Sequence, residues 1–320
     1  RGDGTFKDAV SYATVAGYPL SLIAADLDRD GKPDLAAAIG RMGHTTCRAT
    51  CSVVSCSVSV LIGRGDGTFE DAVNYAGGGF SLIAADFNGD GMLDLAAGLS
   101  VLLNRGDGTF NDARSSDPFG SSSVIVADIN GDGRLDLVTR GLILWNNGDG
   151  TFGGSRIWNP VEMGTDPAEP MIAADLNGDG RADLAAPDAI GATVAVSLNQ
   201  GDGSFTEVSC YRVFAVATRL IAADLNGDDK PDLVTGGNRS SLSILFNRGD
   251  GTFKDAVSLI SPEGNPWSTD AVSAGDFNGD GKLDLAIRSA IGSNDVGILF
   301  NQGDGCFTDA GSYPVSGNRD

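Results

Sequence analysis

Short apolar segments separated by Gly, Asn and Asp fill this chain of 320 residues. In one typical stretch they are SLIAAD (81–86), DLAAG (94–98), SVLLN (100–104) and FNDA (110–113). Short apolar segments bounded by turn-forming residues predict β-strands, and no apolar stripe with a 3.6-residue period is long enough for a helix. Each such stretch therefore predicts four consecutive strands.

Two motifs repeat along the chain. The string GDGxF occurs seven times, starting at Gly2, Gly65, Gly106, Gly148, Gly201, Gly249 and Gly303. Between its copies lies an acidic motif, D-x-[DN]-x-D-G-x-x-D, which starts at Asp26, Asp86, Asp128, Asp175, Asp224 and Asp276. A period of about 50 residues indicates a propeller, a solenoid or an array.

The residue before each acidic motif favours the propeller. It is always small, as expected where the innermost strands of a propeller crowd together: Ala25, Ala85, Ala127, Ala174, Ala223 and Gly275. We therefore predict an all-β fold, a single β-propeller domain over residues 1–320 with six four-stranded blades by repeat count, or seven if another segment completes one more. The predicted repeats are about 14–76, 77–117, 118–158, 159–211, 212–260 and 261–315.

Strand parity places the loops. In a four-stranded meander, the connection between strands one and two lies at the same end as the connection between strands three and four. The acidic motifs and the GDG turns should therefore share one face, and the connections that vary between repeats should share the other.

The acidic motifs have the composition of calcium sites. Oxygen-bearing side chains stand at positions one, three, five and nine, a backbone carbonyl is available at position seven, and Gly at position six allows a sharp turn. Hard oxygen ligands at alternate positions suit Ca²⁺. An EF-hand would have Glu at position twelve, where this chain has Ala37 and Ala97. Six repetitions favour calcium over simple Asx turns, so we expect about six structural Ca²⁺ ions.

The predicted ligands follow from these positions. The side-chain ligands are Asp26, Asp28, Asp30, Asp34, Asp86, Asn88, Asp90, Asp94, Asp128, Asn130, Asp132, Asp136, Asp175, Asn177, Asp179, Asp183, Asp224, Asn226, Asp228, Asp232, Asp276, Asn278, Asp280 and Asp284. The carbonyl ligands are those of Lys32, Met92, Arg134, Arg181, Lys230 and Lys282. In the fifth motif Asp229 replaces the position-six Gly, and we expect that site to be intact but weaker, since Asp tolerates positive φ.

GDGxF paired with the acidic hairpin resembles the FG-GAP or VCBS repeat, found in integrin α-subunit heads, a fungal propeller lectin and many bacterial surface proteins. The resemblance covers essentially the whole chain. It implies a propeller whose calcium ions are structural and whose ligands bind on the opposite face or between blades. Related propellers commonly have seven blades, which leaves the blade number to be tested.

Residues 1–13 match the fourth strand of a blade that has no other strands in this sequence. This surplus strand could be the remnant of an upstream repeat, could add to a sheet edge within the ring, or could pair with another molecule. Self-association through residues 1–13, giving a filament or an oligomer, is therefore one alternative function.

Catalytic chemistry is poorly represented. His44 is the sole histidine and lies in the 41–56 insertion of the first repeat. Most other aromatic residues occupy repeated packing positions, among them Tyr12, Tyr75, Trp158, Tyr211 and Tyr313, six residues after the Phe of GDGxF. Four aromatics fall instead in connections between strands four and one: Tyr18, Phe80, Phe119 and Trp267. Together with His44 they are the candidate ligand-binding residues, for a glycan or an extracellular protein.

Charge and cysteine content restrict the partners and the compartment. The chain has 43 acidic and 22 basic residues, a net charge of −21, which opposes binding to nucleic acid. No apolar run is long enough to span a membrane. Three of the five cysteines, Cys47, Cys51 and Cys56, fall within ten residues, which suggests a disulfide and an oxidising compartment; Cys210 and Cys306 are the others. We expect a secreted or cell-surface recognition or adhesion module that is not an enzyme; a polysaccharide lyase is the second alternative.

Overall fold

The computed structural model describes residues 10–40, 56–79, 81–111, 113–115, 124–139, 141–158, 171–188, 191–214, 217–237, 241–260, 271–288 and 295–314. These residues form six antiparallel sheets of four strands each, with the strands of every sheet in chain order. We call each sheet a blade and number the blades along the chain. Four strands per repeat, and six blades among the described residues, are confirmed.

The first three blades contain the first twelve strands. Blade 1 consists of β1 (Tyr18–Ala25), β2 (Asp34–Gly40), β3 (Ser57–Leu61) and β4 (Val73–Ala76). Blade 2 consists of β5 (Leu82–Ala85), β6 (Asp94–Ala97), β7 (Ser100–Leu102) and β8 (Arg114–Ser115). Blade 3 consists of β9 (Val124–Ala127), β10 (Asp136–Thr139), β11 (Leu142–Asn146) and β12 (Phe152–Arg156).

The remaining three blades contain the other twelve strands. Blade 4 consists of β13 (Ile172–Ala174), β14 (Asp183–Asp188), β15 (Thr193–Ser197) and β16 (Ser209–Arg212). Blade 5 consists of β17 (Ala217–Ala223), β18 (Asp232–Gly237), β19 (Ser241–Leu245) and β20 (Val257–Ile260). Blade 6 consists of β21 (Val272–Gly275), β22 (Asp284–Arg288), β23 (Asp295–Asn301) and β24 (Phe307–Pro314).

The chain divides into two compact units. Unit 1 comprises Arg1–Val124 and Asn146–Gly153, and thus blades 1 and 2 with the last turn of blade 3. Unit 2 comprises Ile125–Trp145 and Gly154–Asp320, and thus most of blade 3 with blades 4 to 6.

Consecutive blades in each unit bury their apolar side chains against each other. In unit 1 one cluster joins Val58 of blade 1 to Leu82 and Leu95 of blade 2. In unit 2 similar clusters join blades 3 and 4, blades 4 and 5, and blades 5 and 6. The second strand of a blade is therefore covered on both faces, as in β6, where all four residues are buried. Fourth strands such as β4 are largely exposed.

Two predicted features differ from the structure or lie partly outside its described residues. The first of the candidate aromatics, Tyr18, is not in a connection: it is the first residue of β1, opposite Gly40, and the prediction that placed it before the strand is wrong. Of the predicted surplus strand, residues 1–9 lie outside the described residues, and residues 10–13 are described but form no strand.

Candidate metal centres and ligand pocket

Each acidic loop is folded by its first aspartate. In blade 2, Asp86 Oδ1 accepts a hydrogen bond from the Gly89 amide and Asp86 Oδ2 accepts one from the Gly91 amide, both at 2.7 Å. The bond to the position-six amide recurs in all six loops at 2.7–3.0 Å. These bonds draw the backbone around the carboxylate, which requires positive φ at positions four and six, 75° and 80° in this loop.

The position-nine aspartates are buried and connect the loop to the third strand. In blade 2, the Asp94 carboxylate accepts hydrogen bonds from the Phe87 amide at 3.0 Å and the Asn104 amide at 2.8 Å, and its exposed fraction is 0%. Burial raises the pKa of Asp94, and equally of Asp232, to about 6. A nearby divalent cation would oppose this effect by stabilising the charged form.

In blade 1, oxygens of three predicted ligands converge. Carboxylate oxygens of Asp26, Asp28 and Asp34 lie within 4.8 Å of one another. Asp26 Oδ1 is buried and has no hydrogen-bond partner, and burial raises the pKa of Asp28. A buried oxygen without a donor, beside two further carboxylates, fits a hard divalent cation. In blade 5 the buried oxygen without a partner is at position three, Asn226 Oδ1.

The position-five aspartates are oriented differently. Their Oδ2 atoms face the basic side chain at position seven in five loops, for example in the Asp132–Arg134 pair at 2.6 Å. The hydrogen bond from Arg134 lowers the pKa of Asp132. These pairs are exposed and contribute little to stability. The structure thus places positions one, three and nine of blade 1 together, and gives the position-five carboxylate a second partner.

Two loops contain a non-glycine residue with positive φ. Asp229, at position six of blade 5, has φ of 61° and keeps its amide bond to Asp224 Oδ2 at 2.8 Å. Arg29, at position four of blade 1, has φ of 64°, and its guanidinium donates to the Gly91 carbonyl. Asp229 therefore takes the positive φ that Gly takes in the other loops, and the intact but weaker calcium site expected there stays a prediction.

The GDG turns lie beside the acidic loops in blades 1, 2, 4, 5 and 6, as strand parity predicts. A Cβ on the first Gly would meet the position-seven side chain: Gly106 would approach Met92 Sδ to 2.8 Å. A Cβ on the second Gly of blade 2, Gly108, would approach Ile62 Cδ1, just after the third strand of blade 1, to 2.5 Å. In blade 2 the motif therefore combines positive φ with close packing, and both glycines are required. In blade 1 an Arg precedes the GDG turn, which gives the triplet Arg64-Gly65-Asp66. The Arg64 side chain donates a hydrogen bond to the Phe69 carbonyl, so this RGD triplet is part of the turn.

The repeated aromatic residues pack where consecutive blades meet. Tyr75 of blade 1 makes an edge-on contact with Phe110 of blade 2, with ring centroids 5.6 Å apart, and its hydroxyl accepts the Phe110 amide at 3.1 Å. Tyr211 makes a similar edge-on contact with Phe253, and Trp158 a tilted contact with Phe205. Their interpretation as packing residues is confirmed; for Tyr313 it is wrong, since this side chain is 55% exposed.

One repeated group was not recognised in the sequence. In blades 2 to 6, an Asn stands two residues before the first Gly of the GDG turn. Its side-chain amide donates a hydrogen bond to the backbone carbonyl at position two of the acidic loop in the preceding blade, at 2.8–3.0 Å. These inter-blade asparagines are buried: Asn104, Asn146, Asn199, Asn247 and Asn301. Blade 1 has Gly63 at this position. The recurrence of Asn can be seen in the sequence. Its hydrogen-bond partner cannot, because it lies about 60–80 residues away.

A cavity of about 350 Å³ lies between blades 4 and 5 in unit 2. It is lined by Tyr211, Arg212, Val213, Phe214, Leu245, Lys254, Asp255 and Ala256. Phe214 is 58% exposed, and its amide donates to Ser243 Oγ at 3.0 Å, which attaches the end of blade 4 to β19 of blade 5. An exposed aromatic ring beside two cationic side chains and a carboxylate provides both an apolar surface and hydrogen-bonding groups.

Phe214 is the functional candidate that sequence reasoning missed. It lies between β16 and β17, a connection between strands four and one, and so meets the criterion used to select the other aromatics. Of those, Tyr18 is 53% exposed. Phe80, Phe119, Trp267 and His44 lie outside the described residues, as do Cys47 and Cys51. Cys210 and Cys306 are exposed.

The family of the chain follows from its repeats. The model of the FG-GAP-like repeat matches residues 51–97, 96–139, 140–186 and 224–287, more than half of the chain. The chain therefore belongs to the FG-GAP-like repeat family. No curated protein matches it.

Solved structures with the same fold include lectins. One is an Agrocybe aegerita lectin described by its specific recognition of non-reducing terminal N-acetylglucosamine: 24% identity, TM-score 0.59, covering 92% of this chain and 79% of that one. Another is the BP39L lectin from Burkholderia pseudomallei: 14% identity, TM-score 0.61, covering 92% and 84%. A functionally unknown protein from Desulfotomaculum acetoxidans is also similar: 13% identity, TM-score 0.53, covering 94% and 86%. The fold class is that of a β-propeller with four-stranded blades.

Nothing in the described ranges is a helix with the length and apolar character that a membrane crossing needs.

Proposed function

We propose that this protein is a secreted or cell-surface glycan-binding module whose blades are stabilised by structural calcium. The observation that carries the proposal is the cavity between blades 4 and 5, where the exposed Phe214 ring stands beside Arg212, Lys254 and Asp255. Its volume of about 350 Å³ is at the small end of ligand pockets. This size suits a terminal sugar better than an extended protein surface.

Sugars need two kinds of contact, and the cavity offers both. The C–H face of a pyranose packs on an aromatic ring, a role that Phe214 would take. The hydroxyl groups require donors and acceptors, which the Arg212 guanidinium, the Lys254 ammonium and the Asp255 carboxylate would supply. Two of the similar structures are lectins, which supports a glycan over other small ligands.

The acidic loops would hold Ca²⁺ through the side chains at positions one, three, five and nine and the carbonyl at position seven. The supporting observations are the converging carboxylates of Asp26, Asp28 and Asp34 and the unpartnered Asp26 Oδ1. The ions would neutralise repulsion between carboxylates and tie each loop to its blade. Millimolar extracellular calcium would keep even weak sites filled, which is why we place the protein outside the cell.

We propose binding without catalysis. The lining of the cavity includes no paired carboxylates of the kind glycoside hydrolysis uses, since Asp255 is its single acidic residue. The bound sugar would be retained and released unchanged.

A glycan array is the direct test. We expect the wild-type chain in calcium to bind a subset of glycans with accessible terminal sugars, and Phe214→Ala to reduce affinity about tenfold or more with the melting temperature unchanged. Tyr18→Ala is the matched control, because Tyr18 is an aromatic of similar exposure, 53% against 58%, outside the cavity.

Three results would count against the assignment. Loss of binding in Tyr18→Ala with retention in Phe214→Ala would place the ligand elsewhere. No binding to any glycan by a folded, calcium-loaded chain would exclude glycan recognition. If glycan binding persists in EGTA, recognition does not depend on calcium. If the melting temperature in EGTA is also unchanged, the ions have no structural role.

A further inference from the structure

The cavity between blades 4 and 5 carries two positive side chains in a strongly negative chain. The whole chain has a net charge of −21. The charged residues of the cavity lining are Arg212, Lys254 and Asp255, and their two positive charges and one negative charge sum to +1. The lining therefore has the opposite sign to the chain as a whole, and it favours an anionic ligand.

The two cations come from consecutive blades of unit 2. Arg212 is the last residue of β16 in blade 4, where it pairs with Thr193 of β15. Lys254 directly follows Phe253 in blade 5, and its amide donates to the Phe246 carbonyl at 2.9 Å. The Lys254 ammonium lies over the Phe246 ring, 5.9 Å from the ring centroid. Each cation is therefore attached to a backbone position that its own sheet fixes.

The repeat does not account for this pair of cations. Arg212 stands seven residues after the Phe of one GDGxF motif, and Lys254 stands one residue after the Phe of the next motif. For the other five pairs of consecutive motifs, neither of these two positions holds Lys or Arg. The residues there are Ala13 with Glu70, Ala76 with Asn111, Asp117 with Gly153, Asn159 with Thr206, and Ile260 with Thr308. The two cations thus occur together only where blades 4 and 5 meet.

Neither cation neutralises an acid of the described chain. The cations at position seven of the acidic loops pair with the position-five aspartate, as Arg181 does with Asp179 at 3.2 Å. Among the described residues, Arg212 and Lys254 form no such ion pair. In a chain with 43 acidic and 22 basic residues, two cations without an acidic partner are available to an anion from another molecule.

We propose that the cavity binds a terminal sugar that carries an anionic group, a carboxylate or a sulfate ester, and this rests on the proposed glycan-binding function. The planar Arg212 guanidinium donates hydrogen bonds to the anionic group, and the Lys254 ammonium donates a further one. Phe214 packs on the C–H face of the same sugar, and the Asp255 carboxylate accepts a hydrogen bond from one of its hydroxyl groups. The charge of the sugar, and not its shape alone, then decides which glycans bind.

Matched oligosaccharides test the proposal. Glycans that end in glucose, galactose or mannose are presented to the full chain in calcium, each as the neutral sugar, as its uronate and as its sulfate ester. We expect at least one charged form to bind about tenfold or more tightly than its neutral parent, because hydrogen bonds to an ionised group are the stronger ones. The uronate and sulfate arms show which anion is preferred. The preference should decrease as the salt concentration rises, since salt screens exposed charges.

Substitutions separate recognition of the charge from binding of the sugar. Arg212→Gln and Lys254→Gln should each weaken binding of the charged form about tenfold and binding of the neutral parent much less, since Gln still donates a hydrogen bond. Phe214→Ala should weaken both forms by the same factor. Arg212→Lys should keep part of the preference, because it keeps the charge. Arg288→Gln is the matched control, since Arg288 is an exposed cation at the end of β22 and outside the cavity lining.

Three results would overturn the proposal. If neutral sugars bind as tightly as their charged forms and Phe214→Ala abolishes that binding, the glycan-binding function stands and the anionic ligand is wrong. If Arg288→Gln reduces the preference for charged sugars as much as Arg212→Gln does, the preference belongs to the surface charge in general and not to the cavity. If the folded, calcium-loaded chain binds no glycan of either kind, the proposed function and the anionic ligand are both wrong.

Discussion

The acidic-loop end of each blade and the cavity between blades 4 and 5 are built in opposite ways. At the loops, the same residue types make the same bonds six times, from the Asp86 carboxylate to the buried Asp94. At the cavity, Phe214 and Arg212 stand outside the repeated motifs, whereas Lys254 and Asp255 belong to the FxDA segment that follows several GDG turns. The difference indicates that the recurrent bonds hold the blades together, while the cavity combines repeated residues with Phe214, which is 58% exposed.

Calcium removal should produce the largest effect, and it acts on the recurrent part alone. We expect dialysis against EGTA to lower the melting temperature by on the order of 10 °C or more. At a free calcium concentration of 100 times the Kd, each bound ion adds about 2.7 kcal/mol to the free energy of unfolding. Calorimetry before and after dialysis measures this, with Mg²⁺ addition as the control for charge alone. Identical melting curves would mean that the aspartates only form turns.

Asp94→Ala should be the most damaging single change at a loop. It removes a buried carboxylate and leaves the amides of Phe87 and Asn104 without partners, so we expect a loss of about 3–5 kcal/mol. Urea unfolding measures the loss. Asp107→Ala, in the neighbouring GDG turn, is the control: its carboxylate accepts only from Thr109 at the surface, and it should be clearly milder. Equal losses would contradict the structural role of position nine.

Asn301→Ala tests the inter-blade asparagines. The Asn301 amide donates to the carbonyls of Leu225 and Leu283, both at 2.9 Å, and its removal leaves two buried acceptors, which costs about 1–3 kcal/mol. The adjacent Gln302→Ala is the matched control, because its amide bonds at the surface to Thr308 and Phe300. If both variants unfold at the same urea concentration, the inter-blade bonds do not stabilise the junction.

Asp229→Gly should give the smallest effect, and in the opposite direction. Asp229 has φ of 61°, which Gly adopts without strain, so we expect a gain of up to about 1 kcal/mol and a modest increase in calcium affinity of the fifth site. Thermal unfolding in saturating calcium and a calcium titration measure the two quantities. A loss of stability would show that the Asp229 side chain has a role of its own.

Much of the fold could be predicted because the repeat is a local pattern seen many times. The strand pattern, the turn residues and the spacing of the acidic positions are each contained within a few residues. A single copy of the motif could be interpreted in several ways, and six copies remove most of that ambiguity. The packing role of Tyr75 could also be predicted, since an aromatic recurs six residues after the Phe of GDGxF; its partner Phe110 in the next blade could not. The boundary of β1 could not, because Tyr18 joins the strand through pairing with Gly40 across a register shift.

The candidate site could be predicted only in part from the sequence. Phe214 satisfied the criterion for a ligand residue, yet the proposed pocket also needs Lys254 and Asp255, which line the same cavity from the next blade. Likewise, the sequence shows that Asn104 belongs to a recurrent position, but it does not predict that the Leu27 carbonyl is its hydrogen-bond partner. Such contacts depend on how one sheet is set against another.

The amino-acid order alone was enough to define the repeat, its four strands, the acidic hairpins and the glycine turns, since each depends on neighbours along the chain. The tertiary structure alone decided which side chains from successive blades meet, such as Leu82 of blade 2 with Val58 of blade 1. The physical reason is that burial belongs to a pair of packed sheets, and the residues that meet there are far apart along the chain.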